Sequence, residues 1–121
     1  MVVFYIKGDY MRYYKYLYKS DTIRNVNRLK SALNSRKGLI GYHCVIIDPE
    51  SHRLEIINSF YLRFKYYRRN KTVIVGIFKS FDEAKDIIID LFDESIKKTG
   101  KADILDYLIL RTKTDNFTHE V

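Results

Sequence analysis

The chain has few of the residues that fasten small proteins covalently or through metals: one cysteine, three histidines, one proline and no tryptophan in 121 residues. A single cysteine excludes an intrachain disulfide. Cys44 lies in the apolar run 39–47 with no cation beside it, so it reads as a small buried side chain rather than a reactive thiol. His43, His52 and His119 are scattered and form no zinc-site spacing, so neither a metal nor a cofactor is expected. His43 and Cys44 are adjacent on an expected strand and point to opposite faces, which excludes a catalytic pair. His52 in a turn and His119 near the end read as turn and solvent residues. The five glycines contain neither Gly-x-Gly-x-x-Gly nor a loop ending in Gly-Lys-Ser/Thr, so no nucleotide cradle is indicated. The apolar start, residues 1–6, is interrupted at 7–9 and is too short for a signal or a membrane span; a cytoplasmic protein is expected.

What remains is an aromatic, charged chain. Its 46% hydrophobic content with 15% aromatics is too apolar for a disordered segment, and its length suits one domain with its own core. The net charge of +7 is unevenly spread. Residues 1–79 hold 16 Lys and Arg against 5 Asp and Glu, a net +11, and residues 80–121 hold 6 against 10, a net −4. A basic region of that strength is a footprint for polyanions.

Residues 2–6 read as a strand, with Asp9 as a cap for a following helix. Over 10–19 the apolar positions 10, 13, 14, 17 and 18 fit a helix period, against tyrosine's preference for sheets. A second helix is expected after Ser20, Asp21 or Thr22, with Ile23, Val26, Leu29 and Leu33 on its buried stripe, Arg24 and Arg28 on another side, and Gly38 at its end. Residues 39–47 suit a strand covered on both faces, and 48–52 a turn. From 53 to 67 apolar and polar residues alternate, but one straight strand of that length would span about 50 Å. The strand must bend or break, and Asn58-Ser59 is the expected place. Residues 68–71 read as a hairpin turn with Asn70 in a left-handed conformation, followed by a strand over 72–78. Ser80 and Glu83 form a capping box for a helix that buries Ala84, Ile87, Ile88, Leu91 and Phe92 and stops near Gly100. Residues 103–110 favour a last short helix over a strand.

The expected fold is therefore α+β: an antiparallel sheet of about four strands with amphipathic helices packed against it, in the order β-α-α-β-β-β-α-α. A single domain over 1–111 and a C-terminal tail over 112–121 are expected.

No catalytic motif is present. Asp82, Asp86, Asp90, Asp93 and Glu94 lie opposite the Ile and Leu stripe and read as a solvated helix face rather than as paired acids for hydrolysis. The outward parity of 53–67 carries Tyr61, Arg63, Lys65 and Tyr67, and Arg68, Arg69 and Lys71 extend the charge around the turn. Arg12, Lys15 and Lys19, with Tyr16, would share one side of the first helix. Cations that hold phosphates and rings that stack on bases suit RNA or single-stranded DNA. A non-enzymatic module binding such a strand is the first functional expectation. In element order, a strand, two helices and a meander, residues 2–79 are similar to the RelE/ParE toxin superfamily. That likeness implies a ribonuclease using Arg, Lys and Tyr from the sheet as the alternative. A third reading is a structural domain forming homo-oligomers, the acidic helical end of one copy meeting the basic region of another.

Overall fold

The computed structural model describes residues 11–35, 37–69 and 71–120, the side chains of 68, 69 and 114–120 excepted. In chain order the elements are β1 (Arg12–Lys19), α1 (Val26–Asn34), β2 (His43–Ile47) and β3 (Leu54–Asn58). A 3-10 turn (Ser59–Arg63), α2 (Lys65–Arg69), β4 (Val73–Phe78), α3 (Phe81–Thr99) and α4 (Ile104–Glu120) complete the order. The expected strand over 2–6, the cap at Asp9 and the turn residue Asn70 lie outside the described residues. Among those described, no helix is long and apolar enough to cross a membrane.

The fold is α+β, a four-stranded mostly antiparallel sheet in the order β1-β4-β2-β3 with helices packed against it. Alternate residues of β2 enter two cores. Cys44 and Ile46 face one cluster with Leu29 and Leu33 of α1 and Leu62 of the 3-10 turn. Val45 and Ile47 face another with Ala84 and Leu91 of α3 and Leu108 of α4. This is the two-sided burial expected of the apolar run, but the strand starts only at His43, and Ile40 earlier in the run is exposed. α1 and the 59–69 segment thus cover one face, and α3 and α4 the other.

Two sequence expectations fail, each because long-range pairing outweighs a local pattern. Residues 12–19 form a strand, not a helix. The spacing i, i+4 is common to both periods, so Tyr13 with Leu17 and Tyr14 with Tyr18 share a face in either state. In β1 the first pair enters the α1-side core and the second the α3/α4-side core. Parallel pairing with β4, Tyr13 opposite Ile74 and Tyr18 opposite Gly76, satisfies the backbone, with the ladder interrupted between them.

The second failure concerns 53–71. β3 does end at Asn58, whose side chain accepts from the Phe60 N–H at 3.1 Å to start the 3-10 turn. Residues 59–71, however, do not continue a meander. β2 runs antiparallel to both β3 and β4 and lies between them, so β3 and β4 point the same way. Only a crossover over the sheet can join them, and the 3-10 turn with α2 supplies it, so 68–71 is not a hairpin turn. Lys71 takes the positive φ of 57° as the chain enters β4. Neither the two leading helices nor the meander that made the chain similar to the RelE/ParE toxins is the order observed.

Elsewhere local chemistry decides. α1 starts later than expected, at Asn25, whose Oδ1 accepts from Arg28 N–H at 3.1 Å. Ser80 Oγ accepts from Glu83 N–H at 3.2 Å as a capping box requires. α3 then runs until Gly100, left-handed at φ 76°, closes it. Phe92, expected in the core, is partly exposed, and the buried Ser95 donates to Lys101 O at 2.5 Å in the turn leading to α4.

Candidate nucleic-acid interface

The crossover carries an exposed aromatic group built around one arginine. Leu62 is fully buried in the core and anchors the 3-10 turn, so its neighbours on the turn are thrown outward. Phe60, Tyr61 and Phe64 form a triangle of rings with centroids 5.9–6.3 Å apart. The Arg63 guanidinium lies 4.5 Å from the Phe60 ring centre and 5.2 Å from that of Phe64, in cation–π range. Tyr61 is 50%, Phe64 43% and Tyr66 69% exposed, an unusual amount of ring surface for a solvent-facing turn. Ser59 holds the segment to the sheet: its Oγ donates to Leu39 O at 2.6 Å and its N–H to Tyr42 O at 2.9 Å.

This placement corrects the parity reading of 53–67. Because the strand stops at Asn58, Phe64 and Tyr66 are exposed instead of entering the core. Tyr67, expected outside, is half-buried against it. Tyr61, Arg63 and Lys65 are exposed as expected. The side chains of Arg68 and Arg69 are not among those described. Lys71 is exposed but lines a cavity of about 220 Å³ with Tyr66, Tyr67, Arg53 and the acids Asp48, Glu50 and Glu55. Burial, with Glu55 nearby, raises the Tyr67 phenol above its ordinary value. That end of the sheet has mixed charge and does not extend a cationic surface.

The expected second patch divides. On strand β1, Arg12 and Tyr16 alternate with Lys15 and Lys19 rather than sharing a helix side. Tyr16 stands beside Arg111 of α4, 5.6 Å from guanidinium carbon to ring centre. Lys19 is tied by its Nζ, which donates to Ile23 O at 2.8 Å.

A cationic groove that sequence reading did not single out lies on the α1 side. Arg24, Arg28 and Lys79 rim a space of about 490 Å³ whose floor includes Leu29, Leu39 and Tyr42. α1 and the crossover lie on the same sheet face, and residues 22–47 and 56–81, the stretches containing them, hold no Asp or Glu. The exposed cations Arg24, Arg28, Lys37, Arg63 and Lys65 therefore lie on segments without a carboxylate, and Glu55 of β3, beside Tyr66 and Tyr67, marks the acidic edge of that face. On the opposite face α3 exposes Asp82, Glu83, Asp86, Asp90, Asp93 and Glu94. The acid-free stretches were visible in the sequence, but their common face was not.

Cys44 and the histidines add no nucleophile to this face. Burial pushes the Cys44 thiol up to about 12, so it stays protonated. His43 packs edge-on against Phe81, and the His119 side chain is outside the description. His52 is drawn to the start of α4, where Nδ1 stands 2.8 Å from Asp103 Oδ2. Fold and surface together define a small α+β protein with one cationic, aromatic face and one acidic face. Comparison with known proteins finds no matching family model, no matching curated protein and no matching solved structure.

Proposed function

We propose that the protein is a non-enzymatic module that binds single-stranded RNA or DNA across the face formed by α1 and the crossover. The observation that carries this reading is the pair of carboxylate-free segments on one sheet face, in which Arg63 packs on the rings of Phe60 and Phe64 and cations rim a neighbouring groove. Cations neutralise phosphates, and rings that protrude from a fixed turn offer stacking surfaces to unpaired bases without sequence preference. The opposing acidic α3 keeps the strand on one side by repulsion.

Fluorescence anisotropy with a labelled oligonucleotide across a salt series tests the reading. Affinity falls with salt with a logarithmic slope of about −0.7 per phosphate contact on single strands. Replacing Arg24, Arg28, Arg63 and Lys65 together by Gln flattens the slope, and Tyr61→Ala or Tyr66→Ala costs about 1–3 kcal/mol for each stacked ring. No binding at low salt, or binding indifferent to the four-cation variant, rejects it.

The same segregation of charge supports a second reading, in which the basic face of one copy stacks on the acidic α3 of another. Light scattering without nucleic acid, at low and high salt, separates the two. Salt-sensitive oligomers favour stacking, and a monomer at every salt concentration leaves the nucleic-acid face.

A further inference from the structure

One polar cluster outside the cationic face joins the start of α4 to the turn after β2. His52 closes the turn after β2, with φ at 62° and its N–H donating to Asp48 O at 2.8 Å. Its ring reaches across 51 residues of sequence to Asp103, Nδ1 lying 3.1 Å from Oδ1 and 2.8 Å from Oδ2. Asp103 also caps α4, its Oδ1 accepting from the Asp106 N–H at 3.1 Å. The Asp106 carboxylate completes the group: one ligand atom from each of His52, Asp103 and Asp106 lies within 4.8 Å of the other two.

Capping and the His52–Asp103 bond explain two of the three side chains. An acid in the first turn suits the helix dipole, which accounts for Asp106 being acidic. It does not account for an imidazole from the turn after β2 standing with a ring nitrogen within 4.8 Å of both carboxylates. The Asp106 carboxylate makes no hydrogen bond of its own among the described residues. A dication held between these groups would be shared by both carboxylates and the imidazole. His52 also lines a groove of about 540 Å³ with Leu54, Phe81, Ile88, Phe92 and Ile104.

We propose that His52, Asp103 and Asp106 form a binding site for a divalent first-row transition ion, Zn²⁺ in particular. One imidazole nitrogen and two carboxylates are borderline donors that suit such ions, whereas Mg²⁺ and Ca²⁺ prefer an all-oxygen set. Two ligands bound at about 2.0–2.2 Å stand about 3.4 Å apart in a tetrahedron, so the widest separation must close by up to about 1.4 Å while the 2.8 Å His52–Asp103 contact opens slightly. The ion replaces the proton that Nδ1 shares with Asp103. Three protein ligands leave a coordination position for water.

Isothermal titration of the metal-free full-length chain with ZnCl2 tests this, with circular dichroism as a check on folding. The expected result is one saturable site per chain. Asp106→Asn is the informative variant, since the cap uses only the backbone N–H of Asp106 and the His52–Asp103 bond is untouched. It should fold as the parent does and bind at least about tenfold more weakly, on the scale seen when a metal site loses a supporting group. His52→Ala should remove the site, and His43→Ala should leave it intact. No saturable Zn²⁺ binding, or binding that Asp106→Asn and His52→Ala both leave unchanged, overturns the assignment. If His52→Ala does not fold, Asp106→Asn alone decides.

Discussion

The side chain of Arg63 lies across Gly38: a Cβ on Gly38 would stand 3.2 Å from Arg63 Cβ and 3.4 Å from its Cδ. Gly38 also holds φ at 76°, a conformation that side chains disfavour. The loop after α1 and the crossover therefore meet where only glycine fits comfortably, and the contact sets the base from which the Arg63 guanidinium reaches its rings. Gly38→Ala should cost about 1–2 kcal/mol of stability through the left-handed backbone and also weaken oligonucleotide binding by displacing Arg63. Gly41 has φ at 92° with nothing within 4 Å of a Cβ. Gly41→Ala should carry a similar backbone cost and leave binding unchanged. Urea denaturation paired with anisotropy distinguishes the two, and equal effects on binding would remove Arg63 from the interface.

Gly76 is demanded by packing instead. A Cβ there would stand 2.5 Å from Phe78 Cε2 and 3.2 Å from the carbonyl oxygen of Tyr18 in β1. The ring is buried and the carbonyl belongs to the paired edge, so neither yields freely. Gly76→Ala should destabilise by about 1–3 kcal/mol or more, as overpacked cores do. A thermal melt unchanged from the parent would show that β1 is not held against β4 as described.

The face of α3 gives a comparison of three variants. Leu91 is buried in the α3/α4-side core and Ile88 half-buried at the groove, while Asp90 is exposed. Leu91→Asp should be the most damaging, by several kcal/mol for an unpaired buried charge. Ile88→Asp should be intermediate, and Asp90→Ser should shift stability by less than about 0.5 kcal/mol. Chemical denaturation should return that order.

Alkaline pH should expose the link between α3 and α4. Burial, and next the hydrogen bond it donates to Glu94, push the Tyr107 phenol from 10.0 up to about 12. The folded state therefore keeps a proton that the unfolded chain releases earlier. This contribution to stability is complete below the unfolded value and is lost as pH rises through the folded one. Tyr107→Phe should lower stability at neutral pH by about 0.5–1.5 kcal/mol, the worth of one hydrogen bond. It should also make the decline over that alkaline window shallower. Denaturation midpoints measured at a series of alkaline pH values check both parts, and parallel declines would contradict the assignment.

Features set by neighbours along the chain were legible in the residues themselves. The capping box at Ser80 and Glu83 and the stop at Gly100 are closed by hydrogen bonds within a turn, so no distant partner can overrule them. The burial of residues 44–47 on both faces followed from the apolar run, although residues 39–42 of that run form a loop and Ile40 is exposed. The break at Asn58-Ser59 followed from the size of the domain, because no strand of that length fits inside it. The chain beyond the break could not be read in the same way. Once β3 stopped, the parity of Tyr61, Phe64 and Tyr66 meant nothing, and their exposure was decided by a crossover that only the sheet order requires.

For the same reason residues 12–19 do not show their strand in their own spacing. Spacing by four is shared by helix and strand, and the choice between them was made by β4, some sixty residues away, offering an unpaired edge. Charge divides along the same line. The residues alone show that the long stretches around α1 and the crossover carry cations without acids, and that α3 is acidic. That the two basic stretches share one face, and that His52 stands by Asp103 and Asp106, follows from long-range packing. Composition is a property of segments, whereas a surface is made by the packing that brings segments together.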